Sequence, residues 1–276
     1  MTILINGESG SQIDVLDRGL QYGDGVFETI AVHHGRAPLW ERHMQRLRHG
    51  CERLGIPVID TDMLAGEARQ LYRQADRCVL KIIVTRGTGG RGYALAQDPV
   101  EATRVVMTLP WSRYPGDLYR SGIKVRLCRT RLGAAPHLAG LKHLNRLDQV
   151  LARSEWQSSE INEGLMLDGD GHVIEGTMTN LFIVRDGRLY TPDISQAGVA
   201  GVMRGLIMEL AAGAGRECSV QCLRLDDIEH AHEVFLCNSV VGIWPVRRIE
   251  QWSYAPGPVT QQLSAMVAKH DRAFSH

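Results

Sequence analysis

Short apolar-rich runs, ILIN at 3–6 and VFETIAVH at 26–33, read as strands, the second turning at His34-Gly35-Arg36. A helix follows. Pro38 suits its first turn, Trp40, Met44, Leu47, Cys51 and Leu54 recur at helical spacing, and Gly55 suits the C-terminal cap. That stripe commits one face to packing and leaves Arg42, His43 and Arg46 off it. A second helix is predicted over 61–75, ahead of buried strands in CVLKIIVTRG at 78–87 and TRVVMTLP at 103–110. The segment PWSRYPGDLYRSG at 110–122 interrupts the pattern with Pro and Gly and reads as a linker. Beyond it come the strand IKVRLCRT, a helix near 144–158, and strands around 164–168, 172–176, 179–185 and 188–191, with hairpin turns at Asp168-Gly169-Asp170-Gly171 and Asp186-Gly187. A helix at 201–213, strands near 219–223, 233–237 and 243–249, and a helix from about 258 complete the reading. The pattern therefore predicts an α+β chain of two lobes: 1–112, a linker at 113–121, and 122–276.

Composition narrows the function classes. The chain has 276 residues, 44% of them hydrophobic, enough to bury a core in each lobe, and its formal net charge is zero. A neutral chain without basic runs offers no footprint for a nucleic-acid backbone or a membrane surface. No leader pattern opens the sequence and no stretch approaches 18 uninterrupted apolar residues, so the expected setting is cytoplasmic. Cys51, Cys78, Cys128, Cys218, Cys222 and Cys237 lack CxxC spacing and read as reduced thiols; the histidines show no ligand spacing, so no metal is expected. Neither GxGxxG nor GxxxxGK[ST] occurs, which removes the usual dinucleotide and P-loop readings.

Two residues carry the candidate chemistry. Lys142 lies among Gly140, Leu141, Leu144 and Leu147, an apolar setting that disfavours the ammonium and suits a lysine able to bond an aldehyde cofactor. Glu175, in EGTMTNLF, is a carboxylate able to hold the proton on a pyridine nitrogen. Taken singly, the lysine also reads as a snorkelling surface residue and the glutamate as a strand-end residue.

The segments DRGLQYGDGVFETI at 17–30, HMQRL at 43–47, TRGTGGRGY at 85–93, Lys142, EGTMTNLF at 175–182 and GVMR at 201–204 resemble, in order, the landmarks of fold-type IV pyridoxal 5'-phosphate (PLP) enzymes. That family holds branched-chain aminotransferases, D-amino-acid aminotransferases and 4-amino-4-deoxychorismate lyases. PHLAGLKHLNRLDQVLAR and TRGTGGRGY look most like the lyases, whereas a branched-chain aminotransferase more typically shows KxxGNY after the lysine. The resemblance implies a two-lobed α+β fold with the active site between lobes, PLP as cofactor, and a homodimer. It implies that Lys142 is the Schiff-base lysine and general base, that Glu175 partners the pyridine nitrogen, and that Arg46 holds the phosphate together with the backbone of Val202 and Met203 and the Ser239 hydroxyl. Arg91 is expected on a substrate carboxylate, with Tyr93 where D-amino-acid aminotransferases have a histidine, and Tyr22 and Thr29 fall in a segment that faces the cofactor in relatives. The implied reaction converts 4-amino-4-deoxychorismate to 4-aminobenzoate, a folate precursor, and pyruvate; the alternative is a branched-chain or D-amino-acid aminotransferase of the same fold.

Overall fold

The computed structural model describes residues 2–57, 59–97, 100–112 and 114–274. The chain divides into two compact units, Met1–Ser112 with Leu141–Asn145, and Arg113–Gly140 with Arg146–His276. Lys142, expected in the C-terminal lobe, thus groups with the first unit. The reason is backbone pairing: Phe27 N–H donates to Lys142 O and Leu144 N–H to Gly25 O, both at 2.9 Å. The expected linker at 113–121 carries a short helix, Asp117–Ser121, and groups with the second unit.

The first unit contains β1 (Ile3–Ile5), β2 (Glu8–Ser9), α1 (Arg18–Tyr22), β3 (Gly25–His33), α2 (Trp40–Leu54), α3 (Thr61–Tyr72), β4 (Arg77–Thr85) and β5 (Thr103–Pro110). Its strands form an antiparallel sheet in the order β2-β1-β5-β4-β3. Val26, Ile30 and Val32 share one face of β3 at the strand period of two and pack with Met44, Leu47 and Cys51 of α2 and Leu64 and Ala68 of α3. Helix α2 ends where the sequence places its cap, on Gly55 at φ 63°.

The second unit contains α4 (Asp117–Ser121), β6 (Ile123–Leu132), α5 (Leu147–Arg153), β7 (Glu163–Asp168), β8 (Val173–Gly176), β9 (Asn180–Arg185), β10 (Arg188–Pro192), α6 (Val202–Gly213), β11 (Cys218–Gln221), α7 (Leu225–Glu229), β12 (Glu233–Asn238), β13 (Gly242–Ile249), β14 (Trp252–Ser253) and α8 (Pro258–His270). Its main path runs β11-β10-β9-β12-β13-β6-β7-β8, and β8 also pairs with β9. Six strands, β6, β7, β8, β9, β12 and β13, therefore close on themselves as a barrel, and the closing contact is the single register pair Glu175 with Asn180. The interior is filled by Leu165, Leu181, Ile183, Leu236, Trp244 and neighbouring residues. The helix expected over 144–158 is shorter, Leu147–Arg153, because residues 142–145 are held extended against Gly23, Gly25 and Phe27.

Candidate active site

On β3 the alternation sends Glu28 inward with Val26 and Ile30 and leaves Phe27 and Thr29 half-buried on the opposite face. Lys142 Nζ stands 4.3 Å from the Phe27 ring centroid, a distance at which the ring's electron-rich face attracts an ammonium. Lys81 Nζ, whose residue pairs with Thr29 in the β3–β4 register, stands 5.2 Å from the same ring. Phe27 thus gathers two lysines on the side of β3 that carries Thr29.

Behind that strand Glu28 is fully buried and meets two cations from α2. Its Oε2 is 2.6 Å from His43 Nδ1 and accepts from the Arg46 guanidinium at 2.5 Å, while Oε1 accepts from Arg46 Nε at 2.8 Å. The two-point contact fixes the plane of the guanidinium as a single bond would not. Burial alone would raise the Glu28 carboxyl; Arg46 first and then His43 outweigh it and hold the group at about 2. Burial dominates at His43 and lowers its proton affinity against the pull of Glu28, with Arg46 and Lys142 adding to the lowering. A neutral His43 therefore donates from Nδ1 and keeps a buried lone pair on Nε2. His43, expected off the packing face of α2, is buried, because Glu28 supplies the partner that makes burial tolerable. Arg46 is the expected phosphate ligand, and Glu28 is the residue that orients it.

In the second unit Glu175 lies at the end of β8, buried, where the barrel closes. Its Oε2 accepts from the Val199 N–H at 2.9 Å and lies 3.4 Å from Asn180 Nδ2, which also donates to Val199 O at 2.9 Å. Backbone and amide dipoles thus aim this carboxylate before any ligand arrives. Arg146, at the start of α5, is near enough for Glu175 to oppose the lowering that burial imposes on its guanidinium. Gly140 brackets the same loop, donating to Gly198 O and accepting from Ala200 N–H. Helix α6 begins at Val202 and Met203 behind Gly201, which offers no side-chain acceptor, and its first turn has no acidic residue. Its leading N–H groups therefore suit an anion. A Cβ at position 201 would collide with Asn180 Oδ1, so a larger residue there would displace the Asn180 side chain. Ser239 is buried in the turn after β12, where Asn238 Oδ1 accepts from the Val240 and Val241 N–H groups.

Arg91 and Tyr93 lie on an exposed loop, with Gly87, Gly89, Gly90 and Gly92 all at positive φ. What anchors the loop was not evident from the sequence. Arg18, buried and paired with Asp24, donates to Gly92 O at 2.9 Å and Ala94 O at 3.3 Å, and Tyr22 meets Tyr93 with ring centroids 5.4 Å apart. Sequence reading also passed over Glu28, Asn180 and Val199. Glu28 had a signal, a carboxylate in phase with apolar residues; Val199 had none, since it acts through its backbone.

The model of the amino-transferase class IV family matches residues 25–249. An aminodeoxychorismate lyase of Vibrio harveyi is 36% identical over 248 residues, covering 89% of this chain and 90% of that protein. Among solved structures, the 4-amino-4-deoxychorismate lyase of Pseudomonas aeruginosa superposes with a TM-score of 0.93 at 44% identity, covering 97% of this chain and 98% of that one. The branched-chain amino acid aminotransferase of Escherichia coli superposes at 0.83 with 26% identity, covering 97% and 93%.

Proposed function

The chain belongs to the amino-transferase class IV family, and on that premise we propose that it is a PLP-dependent lyase converting 4-amino-4-deoxychorismate to 4-aminobenzoate and pyruvate. The observation that carries the lyase over an aminotransferase is the 44% identity to a lyase along nearly the whole chain, against 26% to the branched-chain enzyme. The donor set fits the cofactor. Lys142 supplies the amine, Glu175 a carboxylate already oriented by Val199 and Asn180, Arg46 a guanidinium fixed by Glu28, and α6 an uncapped N-terminus for phosphate. Ser239 adds a hydroxyl; Arg91, Tyr93 and Thr29 are assigned to the substrate.

When bound, PLP supplies an electron sink for the pair left by removing a proton beside nitrogen. The protein's part is proton handling and positioning. Lys142 Nζ would act as the base that removes the proton from the carbon bearing the substrate amine. Glu175 holds the proton on the pyridine nitrogen. The enolpyruvyl ether then leaves, the ring becomes aromatic, and Lys142 Nζ returns a proton to the departing three-carbon unit as pyruvate forms. Substrate and products balance without another reactant, so no amino acceptor is consumed. We place the enzyme in the cytoplasm as a homodimer, closed twofold pairs being the commonest soluble assembly.

Pyruvate release by three proteins tests the assignment. Lys142→Ala is expected to lose turnover and the borohydride-sensitive visible absorbance of the bound cofactor. Glu175→Gln is expected to keep PLP and lose most turnover. Wild-type rates in either variant would contradict its role.

A further inference from the structure

The turn that joins Glu175 to Asn180 is built around one more buried carboxylate. Glu163, at the head of β7, is fully buried and collects donors from Thr177, Met178 and Thr179. Its Oε1 accepts from Thr177 Oγ1 at 2.5 Å, from Thr177 N–H at 3.2 Å and from the Gly164 N–H at 2.8 Å. Its Oε2 accepts from Thr179 Oγ1 at 3.0 Å and Met178 N–H at 3.2 Å. The turn is further closed by Gly176 N–H to Thr179 O at 2.7 Å and Thr177 N–H to Gly164 O at 3.0 Å. A Cβ on Gly176 would run into Thr179 Oγ1 and stand 3.0 Å from Glu163 Oε2, so the turn leaves no room beside the carboxylate. Burial pushes the Glu163 carboxyl up, against the lowering by these donors.

A single register pair is a weak way to close a barrel, and here that pair is Glu175 with Asn180. The Glu175 carboxylate takes its aim from both ends of the turn, from its own strand and from Asn180 Nδ2 across it. We propose that Glu163 is a positioning residue for Glu175: by clasping residues 176–179 it fixes the barrel closure and hence the direction of the carboxylate assigned to the cofactor's pyridine nitrogen. The inference rests on that assignment of Glu175.

Glu163→Gln keeps the volume but turns an NH2 group toward donors, so the clasp loses acceptors while the apolar core is untouched. The test is a double-mutant cycle on the holoenzyme with E163Q, E175Q and E163Q/E175Q, read as pyruvate turnover and as the 15N chemical shift of the pyridine nitrogen in 15N-labelled PLP. Misaiming the carboxylate is expected to cost E163Q about 10- to 100-fold in turnover and to move its 15N shift toward that of E175Q. In the E175Q background the same change is expected to cost less than about twofold, because nothing remains to aim. Full losses that multiply in the double variant, or a wild-type 15N shift in E163Q, would overturn the inference while leaving Glu175 in its role. Wild-type turnover in E175Q would overturn both. T179V, which removes one bond of the clasp, gives the same readouts in graded form if E163Q does not fold.

Discussion

A carboxylate at position 28 sits in phase with Val26, Ile30 and Val32, so the alternation of β3 aims a charge into the packing layer under α2. Such a residue is tolerable only with partners, and His43 and Arg46 provide them. Glu28→Gln leaves Arg46 a largely buried cation facing a neutral amide. We expect a loss of about 3 kcal/mol in urea unfolding, with weaker PLP binding by the refolded apoprotein. Unchanged stability would show that the pair is dispensable. Lys142 and Glu175 could be picked out because amine and carboxylate declare their chemistry in the sequence. Glu163 could not, since its significance comes from four donors supplied by a distant turn.

At the scale of elements, the loop at 87–94 is held by α1 through Arg18 and Tyr22. Arg18→Ala frees the loop that presents Arg91. The expected result is a KM raised about tenfold with kcat changed far less, the signature of lost binding without lost chemistry; an equal fall in kcat would place Arg18 in the chemistry itself. The strong periodicities were legible: α2, β3, β4, β5 and α6 stand within a residue or two of their expected positions. Short elements were not. Helices α1 and α7 have five residues each, too few for a period to show, and the helix expected from 144 begins at Leu147 because backbone pairing with β3 outweighs helix propensity. Barrel closure was equally hidden, since alternation shows which residues face inward and says nothing of which strand meets which.

For the whole molecule, the buried charges dictate an acid limb. Glu28 and His43 both have folded pKa values below their ordinary ones, so each stabilises the fold above its ordinary value and the contribution is lost on acidification: from 6.5 downward for His43, and from 4.5 towards about 2 for Glu28. Asp24, held low by Arg86 and Arg18 against the raising effect of burial, acts in the same sense. Glu163 opposes them, since a raised carboxyl stabilises at low pH and the benefit fades as pH rises through its folded value. Urea midpoints measured against pH are expected to fall below 6.5 and more steeply below 4.5, with the lower segment flattened in Glu28→Gln; a variant that tracks the wild type would remove Glu28 from the account. No helix among the described residues is long and apolar enough to cross a membrane. The central claim is the reaction, and the most direct measurement supplies the PLP-loaded enzyme with 4-amino-4-deoxychorismate and no amino acceptor. The account predicts pyruvate and 4-aminobenzoate in equal amounts; absence of both, with transamination between an amino acid and 2-oxoglutarate by the same preparation, would contradict it.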